Sequence, residues 1–188
     1  MNKFKKIIMF MLCAVMIFSF SACGKKTPVA EISMTDGSVI YAELYPDIAP
    51  ITVENFINLA NDGFYDGITV HRVVPGFVIQ AGDPEGTGMG GSDKNIKGEF
   101  SQNGVENTLS HTRGVLSMAR RADDFDSATS QFFIVLEDSD FLDGNYAAFG
   151  KVTEGMNTVD KIASVPTDYN DKPLEDVVIK NIKITYKD

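Results

Sequence analysis

The chain has 188 residues, 44% of them hydrophobic, 23% charged and 10% aromatic, which suffices for one core of ordinary size and excludes a disordered polar or low-complexity chain. Seventeen Lys and Arg stand against 26 Asp and Glu, a net charge of −9, which argues against nucleic acid as a partner.

At the N-terminus Lys3, Lys5 and Lys6 precede an apolar run of 14 residues from Ile7 to Phe20, then the small residues Ser21 and Ala22. A permanent spanning helix needs about 20 apolar residues, and the order basic, apolar, small is that of a secretory signal peptide, expected over residues 1–22 and removed on export. Ser21-Ala22-Cys23-Gly24 is similar to the bacterial lipobox, in which a small residue precedes a cysteine that receives a lipid; Phe20 departs from the usual Leu. This resemblance implies lipidation at Cys23, a palmitate-bearing lipoprotein and attachment to the extracytoplasmic face of a bacterial membrane. The alternative is an ordinary cut near Ala22 with Cys23 a bystander. Against it, the other cysteine, Cys13, leaves with the signal and Cys23 is left without a partner. Removing 1–22 takes away three lysines and no acid, so the mature net charge is −12.

Residues 23–28 read as a lipidated tether and 29–188 as one domain. Val29 to Met34 and Ser38 to Tyr45 are strand-like and flank Asp36-Gly37, a two-residue hairpin signal. Pro50 opens a helix with Val53, Phe56, Ile57 and Ala60 on one face, ended by Gly63. Strand-sized pieces follow at 69–73, 77–80, 114–119, 131–136 and 147–152, then a short helix with Met156, Val159 and Ala163 on one side, then a strand over 177–186. Eight or so strands and two helices predict a mainly β, closed antiparallel barrel with helices at its ends.

The chemistry is narrow. His71 and His111 are the two histidines, and with no cysteine beyond Cys23 a His/Cys zinc site is not available in the mature chain. No G-x-S-x-G elbow supports a hydrolase. Gly86-Thr87-Gly88-Met89-Gly90-Gly91 is glycine-rich, but no Lys-Ser or Lys-Thr follows, so the glycines serve a tight turn or close approach rather than a nucleotide. Asp123-Asp124-Phe125-Asp126 lacks the Gly and terminal Glu of an EF-hand loop and reads as a solvated loop. In the segment from His71 to Asp83, alternation sets Arg72 and Gln80 among apolar neighbours; Arg72 must snorkel, be paired or serve a ligand.

His71 to Asp83, Leu116-Ser117-Met118-Ala119, Ser130-Gln131-Phe132-Phe133-Ile134, Phe141-Leu142-Asp143-Gly144 and Ala148-Phe149-Gly150-Lys151-Val152 resemble, in order and spacing, the blocks of cyclophilin-type peptidyl-prolyl isomerases. The resemblance runs from about Val29 to Tyr186 and implies an eight-stranded antiparallel barrel capped by two helices. It implies catalysis by Arg72 with Gln80, no cofactor, and a substrate pocket of Phe77, Val78, Gly88, Ala119, Arg120, Arg121, Gln131 and Phe133, its rim completed by Phe141, Leu142 and Tyr146. Phe77, Phe133 and Leu142 would hold the proline ring, and the backbone at Arg120 would pair with the peptide. Val78, Arg120-Arg121, Phe141 and Tyr146 stand where the best-known eukaryotic members have Met, Asn-Ala, Trp and His, and the loop from Ala122 to Thr129 is about two residues longer. Partners implied are proline-containing segments of exported proteins, cyclosporin only weakly, and no second copy of the chain. The competing class is a proline-peptide-binding module with incidental turnover.

Overall fold

The computed structural model describes residues 26–187; the expected signal peptide, Cys23 and the start of the tether lie outside the described residues. Alternation makes the first hairpin. In β1 (Thr27–Met34) Ala30, Ile32 and Met34 are buried, and in β2 (Val39–Leu44) Ile40, Ala42 and Leu44. β1 takes in Thr27 and Pro28, two residues expected in the tether, because the long β8 pairs with them (Thr27 with Lys187, Pro28 with Tyr186). Pro28 lies beyond the end of β2, whose pairing with β1 starts at Val29 with Glu43, so its missing N–H breaks no bond on that side.

The hairpin turn is wider than the two residues expected. Gly37 N donates to Met34 O (3.1 Å), and of Asp36 and Gly37 only Gly37 has positive φ (86°). Asp36 is held by Ser38 N (2.9 Å) and Lys161 Nζ (2.7 Å), so the turn is right-handed up to a left-handed glycine. Lys161 first, then Ser38, also pulls the Asp36 carboxyl well below its ordinary range.

Helix α1 (Pro50–Asn61) starts at Pro50 and buries Thr52, Val53, Phe56 and Ala60, while Ile57 is only half-buried. Ala49 has no side chain to cap the first turn. Glu99, itself 2% exposed, does it from a distant segment, accepting from Ile51 N (3.0 Å), Thr52 N (2.8 Å) and Thr52 Oγ1 (2.7 Å). That bond draws Thr52 inward. Helix α2 (Met156–Ala163) buries Thr158, Val159 and Ile162 and keeps Met156 and Ala163 at the margin.

The remaining strands are β3 (Arg72–Val74), β4 (Val78–Ala81), β5 (Val115–Met118), β6 (Phe132–Val135), β7 (Ala148–Glu154) and β8 (Ile179–Lys187). They form one antiparallel sheet in the order β3-β4-β6-β5-β7-β2-β1-β8. The expected closed barrel is therefore a curled sheet with a seam between β3 and β8. The seam is stitched by a single Thr69–Val178 bridge with Val70 N to Val177 O and Ile179 N to Ile68 O (each 2.8 Å). A full ladder is lacking because β3 is three residues long and Val73 N donates to Asp171 O (2.7 Å) in a loop instead.

The interior is apolar and closely packed. Phe56 of α1 packs on Tyr65, Phe132 and Phe149 with ring centres 5.2–5.3 Å apart, and Ile162 of α2 sits among Ile32, Ile40, Ile79, Ile134 and Ile179. With the inside filled, any ligand has to bind on the outer face of the sheet.

Candidate active site

Paired residues on neighbouring strands share a face. Arg72 on β3 pairs with Gln80 on β4, Gln80 with Phe133 on β6, and Phe133 with Ser117 on β5. One row thus crosses four strands and carries a cation, an amide, a ring and a hydroxyl, while the adjacent row of Val73, Ile79, Ile134 and Leu116 points into the core. The outward positions Val78, Val115, Phe133 and Val135, with Leu142 and Ala148, make a second, smaller apolar cluster. That cluster is the floor of the site.

Above it lies a cavity of about 180 Å³ lined by Arg72, Phe77, Val78, Gln80, Ala119, Arg120, Phe133, Leu142 and Tyr146. Phe133 (5% exposed), Val78 and Leu142 give the cavity a floor of buried carbon surface. Phe133 is fixed from two sides, by an edge contact with Tyr146 (5.9 Å) and by stacking on His111 (6.1 Å, 21°). His111 in turn contacts Asp143 Oδ1 through Nδ1 (2.7 Å) and Ser117 Oγ through Nε2 (2.9 Å). Ser, His and Asp stand in line here, but Ser117 and His111 are fully buried, so the trio supports the floor and presents no nucleophile. Burial pulls the His111 pKa down, and Asp143 offsets part of the shift.

Arg72 is positioned by a relay. Its Nη1 donates to Gln80 Oε1 (3.4 Å), Gln80 Nε2 to Gln131 Oε1 (2.8 Å), and Gln131 Nε2 to Gly88 O (3.0 Å) and Gly90 O (2.7 Å). The glycine loop is anchored by Asp83, whose Oδ2 accepts from Thr87 N (2.9 Å), Gly88 N (2.6 Å) and Gly90 N (3.2 Å). Burial would raise the Asp83 pKa, but the backbone donors together win and lower it. A side chain on Gly90 would collide with Asp83 Oδ1 at 2.2 Å, which is why this position is glycine. On its far side the Arg72 Nε faces Asp171 Oδ2 at 3.8 Å. Asp171 is the single non-glycine residue with positive φ (63°) among the described residues.

A second cavity, about 450 Å³, adjoins the first and is lined by Gly88 to Ser92, Asn95, Ala119 to Arg121, Ser127, Thr129, Gln80 and Gln131. The residues expected in one pocket are thus divided. Phe77, Val78, Phe133, Leu142 and Tyr146 line the first cavity, Gly88, Arg121 and Gln131 the second, and Gln80, Ala119 and Arg120 both. Phe141 lines neither; it is 67% exposed and stacks on Phe77 (5.6 Å). Arg121 is exposed and paired with Asp124 (3.1 Å) and Asp123 (3.6 Å).

The acidic loop is not simply solvated. Asp126 Oδ1 accepts from Gly98 N (3.0 Å) and Asn103 Nδ2 (2.7 Å), and Phe125 packs on Phe100. The Arg120 guanidinium lies over the rings of Phe100 (5.3 Å), Phe125 (4.9 Å) and Tyr146 (4.8 Å). The cage and the Asp171 contact were invisible in the sequence because their partners are far apart in the chain, and the Asp83 anchor, though local, follows no periodic pattern; the one available signal for the cage was that Arg and Tyr replace the usual residues together. Among the described residues no His/Cys/Asp/Glu cluster could hold a metal ion, and no helix is long and apolar enough to cross a membrane.

An eight-stranded curled sheet with a small cavity, apolar at its floor, beside an oriented arginine defines a class of protein, and comparison with known proteins gives the same answer. Residues 29–184 match the model for the family described as cyclophilin type peptidyl-prolyl cis-trans isomerase/CLD, and the chain belongs to that family. It is similar to peptidyl-prolyl cis-trans isomerase B of Bacillus subtilis (51% identity over 123 residues, 65% of this chain and 82% of that protein). It is also similar to isomerase ppi1 of Schizosaccharomyces pombe (43% over 150 residues, 79% and 94%). Of the longer isomerase-like 2 of Gibberella zeae, 41% identical, it spans only 27%. A crystal structure of a Cryptosporidium parvum cyclophilin-type isomerase, studied in the presence of the dipeptide Ala-Pro, superposes with a TM-score of 0.77 at 32% identity, covering 84% of this chain and 98% of that one. The protein is an enzyme of the peptidyl-prolyl cis-trans isomerase class.

Proposed function

We propose that the 180 Å³ cavity holds the proline ring and that Arg72 catalyses rotation of the preceding bond in segments of exported proteins folding outside the membrane. The observation that carries this is the guanidinium, oriented by Gln80, in a cavity with an apolar floor. An X-Pro bond rotates over a barrier of about 18–20 kcal/mol because resonance is lost at the twist, and spontaneous exchange takes tens to hundreds of seconds. Twisting localises a lone pair on the prolyl nitrogen. Arg72 N–H groups can donate to that lone pair in the transition state and have nothing comparable to bond in the planar ground state, so the barrier falls selectively.

No covalent bond is made or broken, and the step calls for no cofactor or metal. The ring of proline is the fixed pivot, gripped by Phe133, Leu142 and Phe77, while the backbone at Arg120 pairs with the peptide and the carbonyl side turns. A rate gain of about five decades corresponds to roughly 7 kcal/mol, to be shared between the donor and the grip.

The reading extends to location: residues 1–22 direct export and Cys23 carries the lipid that keeps the domain at the extracytoplasmic face. The experiment has two arms. Exchange of an Ala-Pro peptide, followed by NMR, is expected to accelerate with the purified domain and to slow when an excess of a second X-Pro peptide competes. Palmitate labelling of cells is expected to mark the wild type and not Cys23→Ser; unchanged membrane retention of the unlabelled variant would place the anchor elsewhere.

A further inference from the structure

Arg120 stands between the two cavities and borders both. Its Nε donates to Asn145 O (3.0 Å) and its Nη1 to Arg121 O (2.8 Å), and three aromatic rings surround it. These partners are carbonyls and π-faces, which hold a cation in place without cancelling its charge. Among the described residues no carboxylate lies within ion-pair distance of Arg120, whereas Arg121 beside it is matched by Asp123 and Asp124. The second cavity has two arginines and no acid in its lining, on a chain where Asp and Glu outnumber Lys and Arg by 26 to 17.

A peptide with its proline in the first cavity and its chain running toward the second passes this fixed charge. We infer that Arg120 is a specificity-determining residue whose guanidinium reads the charge of the substrate side chain flanking proline on that side, favouring a carboxylate over an ammonium. The inference rests on the proline-cavity reading above and adds to it the substrate class, acidic rather than basic at that flank. The caged geometry matters because a charge held still at one distance discriminates, whereas a mobile surface lysine adapts and is screened.

The test is kcat/KM for two tetrapeptide series, varied at one and at two residues before proline, each with Glu, Gln or Lys. Wild type, Arg120→Lys and Arg120→Gln are compared at low and at 1 M salt. Wild type is expected to prefer Glu over Lys roughly three- to tenfold at low salt in at least one series, with the ratio shrinking toward unity at 1 M. Both variants lose the planar fork and share any damage to the rim. Arg120→Lys nonetheless keeps the charge and should keep part of the preference, while Arg120→Gln should lose it. A Glu-to-Lys ratio of one in wild type in both series, or a preference that survives in Arg120→Gln, overturns the inference alone. Absence of turnover on every peptide by wild type overturns it together with the reading of the proline cavity.

Discussion

Replacing Arg72 by Ala removes the one donor that the mechanism needs, and the structure bounds how much that should cost. Loss of a single transition-state donor in an enclosed site typically lowers kcat by 10²- to 10³-fold, about 2.7–4 kcal/mol. The Arg72 side chain is 40% exposed, so water screens it and can partly replace it, and the lower end, about a hundredfold, is expected. Fold and peptide affinity should survive, because the apolar floor is built by Phe133, Val78 and Leu142 and not by the guanidinium. Arg72→Lys should not restore activity: an ammonium on a flexible stem cannot be oriented by Gln80 as a planar fork can. Gln80→Ala should lose less, since it orients the donor and leaves it present. The assay is turnover of an X-Pro peptide, with peptide binding and thermal melting run in parallel on each variant. A folded Arg72→Ala protein with near-normal turnover would refute the reasoning, and equal loss of binding and turnover would favour a proline-binding module instead.

Cyclosporin should bind more weakly than to relatives with Trp at the Phe141 position, because exposed Phe141 has no indole N–H to donate. Phe141→Trp should tighten inhibition about two- to tenfold, the equivalent of one net hydrogen bond of about 0.5–1.5 kcal/mol, and an unchanged inhibition constant would contradict this. Burial, ahead of any other cause, holds the pKa values of both His71 and His111 below 6.5. The unfolded chain therefore takes up protons before the folded one does, so their stabilisation is complete above about pH 7 and is lost as pH falls through 6.5 toward the depressed values. Asp36, Asp83 and Asp143, lowered from 3.8, contribute losses only in more acidic solution. The melting temperature should thus fall between pH 7.5 and 5, less so in His111→Asn, and a flat profile over that range would disprove the assignment.

The strands and helices were legible because their signals are local. Alternation along Ala30, Ile32 and Met34, the proline at Pro50 and the apolar spacing of Val53, Phe56 and Ala60 each act within a few residues. The site blocks were legible through their resemblance to the family's blocks, and in the fold Arg72 and Gln80 pair across one hairpin with a short turn at Pro75-Gly76. What chain neighbours alone decide, the amino-acid sequence by itself determined. Tertiary structure decided the rest, where partners are distant. Only folding sets Glu99 at the start of α1, gathers Phe100, Phe125 and Tyr146 around Arg120, splits the expected single pocket in two, and leaves a seam between β3 and β8. The helix face shows the same limit: Ile57 packs half-buried against the core as its spacing expects, whereas Thr52 is buried through Glu99, a partner 47 residues away that no spacing announces. Such contacts depend on how far the sheet curls and which loops reach over it, and no periodicity in the chain encodes that distance.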